Sequence, residues 1–175
     1  HMTSRTEANI CPSRTAPKFV IRVCQDLNEA IAKLANQHNR SANSEMVQAI
    51  EAWQSCKGQL ELLKSTLSGS LDPAVAIAAL SKPYLVPCLP ETKFVVRLLP
   101  GMREKISEEK AERFAAYERN SVSNRYAMND IVNDILQWWL NINQDLKALF
   151  AACNKKNKKY GQKALDVSIF MTHAA

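Results

Sequence analysis

The strongest constraint in this sequence is a strand-like segment that occurs twice. Residues 18–23 read KFVIRV and residues 93–98 read KFVVRL. In both segments Lys, Val and Arg alternate with Phe and aliphatic residues, and this period of two predicts a β-strand with one buried face. A single short strand is not stable in water, so each segment needs a second strand as its partner. The polar faces carry Lys18, Val20, Arg22, Lys93, Val95 and Arg97.

Two helical patterns follow the first strand. Apolar residues recur at helical spacing in residues 25–39, where Asp26 is the expected N-cap. That helix is expected to end near His38 and Asn39. A second helix starts in RSANSE, at residues 40–45, with Ser41 as its expected N-cap. The apolar stripe of this second helix consists of Met46, Val47, Ile50 and Trp53.

The pattern of the final helix also occurs twice. RYAMNDIVNDILQW, which starts at Arg125, aligns without a gap with RSANSEMVQAIEAW, which starts at Arg40. The strands recur at an offset of 75 and the final helices at 85, so the second copy has ten extra residues between them. We assign these residues to a longer first helix and a loop. That helix is predicted from about residue 102 to residue 117, with four residues facing inward: Met102, Ile106, Phe114 and Tyr117.

These patterns divide the chain into segments and set the fold class. We predict a flexible arm at 1–16, strand–helix–helix copies at 17–56 and 92–150, a helical connector at 57–91, and a basic C-terminal tail at 151–175. Short helices are expected in the connector at 58–67 and 72–82, the second with Asp72 as cap and Pro73 at its first position. The predicted fold class is mainly α with a two-stranded β-ribbon.

Composition and charge restrict the function classes. The chain is 46% hydrophobic and 23% charged, which predicts a packed core, and its net charge of +6 favours an anionic partner, above all nucleic acid. Its five cysteines are widely spaced without a CxxC pair, so neither a disulfide scaffold nor a zinc site is expected. The sequence has no common catalytic or phosphate-loop motif, and no apolar run reaches the roughly 20 residues of a membrane span. We therefore expect a cytoplasmic protein that is not an enzyme and has no cofactor, metal or membrane contact.

The first copy resembles a known family of proteins. The likeness is carried by Pro17, Phe19, Arg22, Lys33, Ala35, Arg40, Ser41, Asn43, Ser44 and Glu45. Through them, residues 17–53 resemble the Arc/MetJ ribbon-helix-helix family of DNA-binding proteins along their whole length. The second copy keeps the strand and the spacing of Arg125 and Asp130. It has Tyr126 in the place of Ser41, and Met128 in the place of Asn43.

The resemblance implies an antiparallel ribbon that enters the major groove of double-stranded DNA. Arg and Lys suit the acceptors of guanine, and Val can contact a thymine methyl group. The residues expected to read bases are Lys18, Val20, Arg22, Lys93, Val95 and Arg97. The family also places the start of the last helix on the DNA backbone. The residues expected to bind phosphate there are Ser41, Asn43, Ser44 and, in the second copy, Asn129.

Other charged residues have simpler interpretations. Arg40 with Glu45, and Arg125 with Asp130, resemble part of a buried ion network of the family and are expected to be structural pairs. A plain helix cap remains an alternative for the RSANSE segment, and both roles can hold at once. The lysine cluster is either a solvated tail or an arm that binds DNA phosphates. It consists of Lys155, Lys156, Lys158 and Lys159.

The implied function is a sequence-specific transcription regulator, most simply a repressor, that is bacterial or phage-encoded and nucleoid-associated. One alternative is an antitoxin-like protein that binds a partner protein through its C-terminal region. Another is an accessory protein of plasmid transfer or partition, and a third is a scaffold whose second copy has lost DNA binding. The strands could pair within one chain, as a pseudo-dimer, or across a homodimer. Because the copies are unequal, an imperfectly palindromic DNA site is expected.

Overall fold

The computed structural model describes residues 18–80, 92–120, 124–161 and 163. The predicted arm at 1–16 lies outside these residues, as do the end of the connector and most of the segment after 161. In chain order the elements are β1 (Lys18–Val23), α1 (Gln25–Gln37), α2 (Ala42–Gly69), α3 (Pro73–Ala79), β2 (Thr92–Arg97), α4 (Met102–Asn120) and α5 (Met128–Lys159).

The predicted ribbon is confirmed as a two-stranded antiparallel sheet. β1 pairs with β2 of the same chain, and Val20 lies opposite Val95 at the middle of the ladder. One face of the ribbon is buried through aliphatic side chains that alternate with the polar ones, as the period of two requires. The buried residues are Ile21, Val23, Val96 and Leu98.

The first helix has a different cap from the one predicted. Asp26 is exposed in the first turn of α1, and the N-cap is Cys24, whose Sγ accepts a hydrogen bond from the Leu27 N–H at 3.4 Å. The predicted end of this helix is confirmed, since α1 ends at Gln37. Asn39 follows with a φ of 54°, a left-handed conformation that asparagine tolerates better than most residues.

The helix α2 begins as predicted and continues further than predicted. Ser41 is its N-cap, and its Oγ accepts a hydrogen bond from the Ser44 N–H at 3.1 Å. Instead of ending near Cys56, the helix bends at this residue, which has φ −141° and ψ 16°, and runs on to Gly69. The separate connector helix predicted at 58–67 is therefore the second half of α2. Leu60 and Leu67 are buried and attach this half to the core.

The short helix α3 begins at Pro73, as predicted, but Asp72 makes no side-chain cap bond to it. In α4, Met102 and Ile106 are buried as predicted. Two other residues predicted to face inward, Phe114 and Tyr117, are exposed and instead pack around the Tyr126 ring, at centroid distances of 5.0 and 5.4 Å. Charged residues dominate α4 after Ile106, so this part of the helix has too few apolar positions to enter the core.

The last helix, α5, is longer than predicted. We expected it to end near Phe150 and to be followed by a basic tail, but it continues to Lys159. Its buried stripe extends through Leu146, Leu149 and Cys153. Lysine is a good helix former and is favoured in the last turn by the helix dipole, which explains why the lysine cluster continues the helix.

The two long helices form the centre of the molecule. α2 and α5 pack along each other, and each also contacts the strand of the other half, α2 against β2 and α5 against β1. The Trp139 side chain, on α5, is among the largest that are completely buried. None of the helices in the described ranges is long and apolar enough to cross a membrane.

Candidate nucleic-acid interface

The outer face of the ribbon brings the predicted base-reading residues together. The strand pleat turns every second side chain outward, at intervals of about 7 Å. Arg97 is half-buried, and the other five are exposed: Lys18, Val20, Arg22, Lys93 and Val95. The two valines at the centre expose 57% and 48% of their surface. This face is therefore a solvent-exposed, cationic surface with an apolar centre.

Charges of the same sign face each other across the ribbon. Lys18 lies opposite Arg97, and Lys93 lies opposite Arg22. Like charges directly opposite in a sheet are destabilising. In the part of the chain that the structure describes, no carboxylate forms an ion pair with Lys18, Arg22 or Lys93. The ribbon thus carries an unfavourable charge arrangement that an anionic partner would relieve.

Two asparagines attach the helix starts to the ribbon. The Arg97 N–H donates to Asn43 Oδ1 at 3.0 Å, and the Arg22 N–H donates to Asn129 Oδ1 at 2.7 Å. Asn43 is the second residue of α2, and Asn129 is the second residue of α5. The sequence predicted phosphate contacts for both residues. In the structure their side-chain oxygens accept strand N–H groups, and their Nδ2 groups are the side-chain donors that could bind a phosphate.

The start of α2 therefore lies beside the ribbon and presents short polar groups. Ser41 and Ser44 are exposed, and their hydroxyl oxygens are 2.9 Å apart. Ser41 is thus the N-cap of α2 and also one of the residues predicted to contact phosphate. The positive end of the helix dipole favours an anion at this position.

Comparison with known proteins agrees with this geometry. Residues 13–60 match the family model of the Arc-like DNA binding domain. This segment is an Arc-like DNA-binding domain. It contains β1, α1 and the first part of α2, and it extends a few residues beyond the boundary at 56 that the sequence predicted.

One curated relative supports the match. The chain is similar to transcription factor AmrZ of Pseudomonas ogarae (strain DSM 112162 / CECT 30235 / F113), with 48% identity over 42 residues. The similar segment is 24% of this chain and 39% of the relative, so the chain matches about two fifths of that protein's length. No solved structure shows a significant match.

The start of α5, outside the Arc-like domain, is built differently. Its N-cap is Ala127, which has no side-chain acceptor for the first N–H groups of the helix. The Asp130 carboxylate accepts the Ala127 N–H at 3.3 Å. Tyr126 packs against α4, so it does not replace the capping hydroxyl of Ser41. Only Asn129 keeps a role equivalent to that of its counterpart at the start of α2.

An asparagine that the sequence analysis missed reinforces this side of the ribbon. Asn133, on α5, is 8% exposed, and its Nδ2 donates to the Arg22 carbonyl oxygen at 2.9 Å and to the Asn129 carbonyl oxygen at 2.8 Å. Asn129 and Asn133 together therefore bond both the N–H and the carbonyl oxygen of Arg22. Asn133 is a polar residue beside Val132 and Ile135 in a stripe that is mostly apolar, and this position was the sequence signal for a buried polar contact.

The predicted ion pair in the Arc-like domain is confirmed, with two further partners. Arg40 Nε lies 3.3 Å from Glu45 Oε2, without hydrogen-bond geometry. The other carboxylate oxygen, Oε1, is 2.9 Å from His38 Nδ1 and accepts the Trp139 indole N–H at 2.7 Å. Since Trp139 belongs to α5, this buried carboxylate joins the Arc-like domain to the second half of the chain.

The matching group in the second half is more open. Arg125 is 3.7 Å from the predicted partner, Asp130, but only 2.8 Å from Asp134. Arg113, on α4, contacts both Asp134 and Glu109 at 2.7 Å. Burial by itself lowers the pKa of Arg113, but the hydrogen bonds to these two carboxylates and their negative charges together raise it more, so the net shift is upward.

The lysine cluster lies far from the ribbon. At 1.5 Å per residue, Lys155 is about 39 Å further along α5 than Asn129. Lys156 Nζ donates to the Ser70 carbonyl oxygen at 2.6 Å, which ties this end of α5 to the end of α2. The predicted arm is therefore the last part of a helix, and the structure does not bring it to the ribbon face. The described residues contain no group of His, Cys, Asp or Glu side chains that could hold a metal ion.

Proposed function

We propose that this chain is a sequence-specific DNA-binding transcription regulator, most simply a repressor that covers a promoter or operator. The observation that carries this proposal is the exposed ribbon face, where like charges lie opposite each other and no carboxylate of the described residues pairs with Lys18, Arg22 or Lys93. The Arc-like domain and the similarity to a protein named as a transcription factor support it. Such a function would be exercised on chromosomal or phage DNA in the cytoplasm.

The ribbon would read bases in the major groove. This groove is about 12 Å wide and admits a two-stranded ribbon. Arg22 and Arg97 can donate to the N7 and O6 acceptors of guanine, and Lys18 and Lys93 can do so as single donors. Because Val20 and Val95 are exposed at the centre, their methyl groups can contact thymine methyl groups.

The helix starts would fix the ribbon in the groove by binding phosphates. Ser41 and Ser44 supply hydroxyl donors at the start of α2, and Asn43 supplies its Nδ2 group. Asn129 supplies the equivalent group at the start of α5. Since Asn43 and Asn129 also bind the strands, a phosphate held by either helix start would have a fixed position relative to the ribbon.

We also propose that β2, α4 and α5 are a second ribbon-helix-helix copy, so that one chain takes the place of a dimer. The intrachain pairing of β1 with β2 supports this, as does the contact of each long helix with the strand of the other half. The unequal helix starts and ionic groups would then be differences between two copies of one unit.

Selection of bound duplexes from a random library tests the function. The full chain should enrich a defined site, and Arg22→Ala and Arg97→Ala should each weaken binding to that site by about 1–3 kcal/mol. Lys147→Ala is the matched control, because Lys147 is exposed on α5 about 27 Å along the helix from Asn129. Unchanged site preference in both arginine variants would refute the assignment of the ribbon as the reading element.

A further inference from the structure

Arg103 places a positive charge beside one end of the ribbon. It is the second residue of α4, its side chain is exposed, and its guanidinium carbon lies 5.9 Å from the centre of the Phe19 ring. This distance is near the upper limit of a cation–π contact, about 6 Å. Phe19 is the second residue of β1. The contact therefore places Arg103 at the end of the ribbon where Lys18 lies opposite Arg97.

The equivalent position at the other end of the ribbon is uncharged. α1 follows β1 and α4 follows β2, so the antiparallel pairing places the two helix starts at opposite ends. The strand offset of 75 puts Asn28 in the place of Arg103. The same offset aligns Leu27 with Met102, and both are buried, which supports the equivalence of the two helix starts.

The two helix starts also differ in their acidic residues. Asp26 is exposed in the first turn of α1, and the offset puts Gly101 in its place. A glutamate directly follows Asn28 in one helix and Arg103 in the other, so it does not distinguish them. The start of α4 is therefore more positive than the start of α1, because one carboxylate is absent and one guanidinium is added.

We infer that Arg103 binds a DNA phosphate, and that this contact is made on one side of the bound site only. The inference rests on the proposed function. Two strands whose backbones are about 5 Å apart occupy most of a groove about 12 Å wide. A cation beside the ribbon therefore faces the sugar–phosphate wall of the groove rather than base edges. Within the described residues no carboxylate forms an ion pair with Arg103.

The salt dependence of binding tests the contact, with the full chain and a duplex that it selects from a random library. Arg103→Ala should flatten the slope of log K against log salt by about 0.9, the value for one phosphate, and leave the preferred bases unchanged. Arg103→Lys should keep the slope because it keeps the charge. An unchanged slope in Arg103→Ala, or equal flattening in both variants, would overturn the inference.

Lys105→Ala is the matched control for charge. Lys105 is exposed in the same turn of α4, but two residues place it about 200° around the helix from Arg103. Its loss should flatten the slope by less than half as much. Equal flattening would mean that the net charge of the chain, and not a contact of Arg103, sets the slope. Both alanine variants should unfold in urea like the unmodified chain, since both side chains are exposed.

Neutral methylphosphonate groups locate the contact on the DNA. Replacing the phosphate that Arg103 binds should weaken the unmodified chain, but it should not weaken Arg103→Ala any further, because the interaction is already lost. The expected site is an imperfect palindrome, so the chain has a defined orientation on it. The phosphates that show this coupling should lie on one side of the site. Coupling on both sides, or on neither, would contradict the inference.

The two proposals fail in different ways. If the full chain selects no defined duplex, the proposed function is wrong. If Arg22→Ala and Arg97→Ala change the preferred bases while Arg103→Ala keeps the salt slope, the proposed function stands and only the Arg103 contact is wrong.

Discussion

The two halves of the molecule place carboxylates near the starts of their last helices, but in opposite environments. Glu45 is 0% exposed and lies against His38 and Arg40 of the loop between α1 and α2, and against Trp139 of α5. Asp130 and Asp134 have side chains that are 30% and 29% exposed, and their arginine partners lie near the surface. One half thus holds a buried polar junction, and the other holds a partly exposed ion network.

This difference shows that the halves are not interchangeable. A buried charge depends on every one of its partners, because the interior offers no water to replace them. A solvated ion pair contributes little, because water and salt compete with it. The Arc-like domain therefore depends on Trp139 of the second half, whereas Asp130 and Asp134, at the start of α5, are partly exposed.

The largest expected effect comes from removing the buried charge. Glu45→Gln should lower the free energy of unfolding by about 3 kcal/mol or more, since Arg40 and His38 lose their carboxylate. Asp134→Asn is the matched change in the second half and should cost less than about 1 kcal/mol. Urea unfolding of both variants measures the comparison, and equal losses would contradict the contrast between the halves.

The asparagine attachments should behave alike in both halves. Asn43→Ala and Asn129→Ala each leave a strand N–H without its partner and should cost about 1–3 kcal/mol of stability. DNA affinity should fall in both variants while the preferred bases stay the same, because the side chains proposed to read bases remain. A changed base preference in either variant would show that the asparagine itself reads DNA.

The helix caps give a pair of changes with opposite signs. Ser41→Ala should destabilise the chain by about 1 kcal/mol, because the Ser44 N–H loses its acceptor. Ala127→Ser should stabilise it by a similar amount, because Ala127 already has the extended backbone of an N-cap but no side-chain acceptor. Thermal unfolding of the two variants checks both signs. A loss of stability in Ala127→Ser would mean that the start of α5 cannot accept the missing cap.

The smallest effect is expected at the far end of α5. Lys158→Ala should leave both the DNA affinity and its salt dependence unchanged for a short duplex that contains only the selected site, because the lysine cluster lies far from the ribbon. Titration at several salt concentrations measures this. A flatter salt slope would restore the predicted phosphate-binding role of the cluster.

The sequence was most informative where structure depends on neighbouring residues. The alternation in KFVIRV and KFVVRL identified both strands and their buried faces, because strand side chains alternate strictly. Ser41 could be recognised as a cap because a serine before an apolar helical pattern has a local role. The six outward residues of the ribbon followed from the same alternation, so most of the candidate interface was accessible from the sequence.

What the sequence did not predict depends on distant partners or on uncommon residue choices. Trp139 lies 94 residues from Glu45, and Asn133 lies 111 residues from Arg22, so no local pattern indicates either bond. Cys24 was missed because cysteine is not among the residues usually preferred at an N-cap. The bend at Cys56 interrupts α2 without ending it, and helical periodicity alone does not distinguish a bend from an end.

The pairing of β1 with β2 has a consequence for synthesis of the protein. At 5–20 residues per second, a ribosome would need about 4 to 15 s to make the 75 residues that separate equivalent positions of the two strands. During that time β1 has emerged without its native partner, and an unpaired strand edge can associate with another chain. A nascent polypeptide that stops after the Arc-like domain therefore has half of its ribbon and lacks Trp139, the indole donor to Glu45.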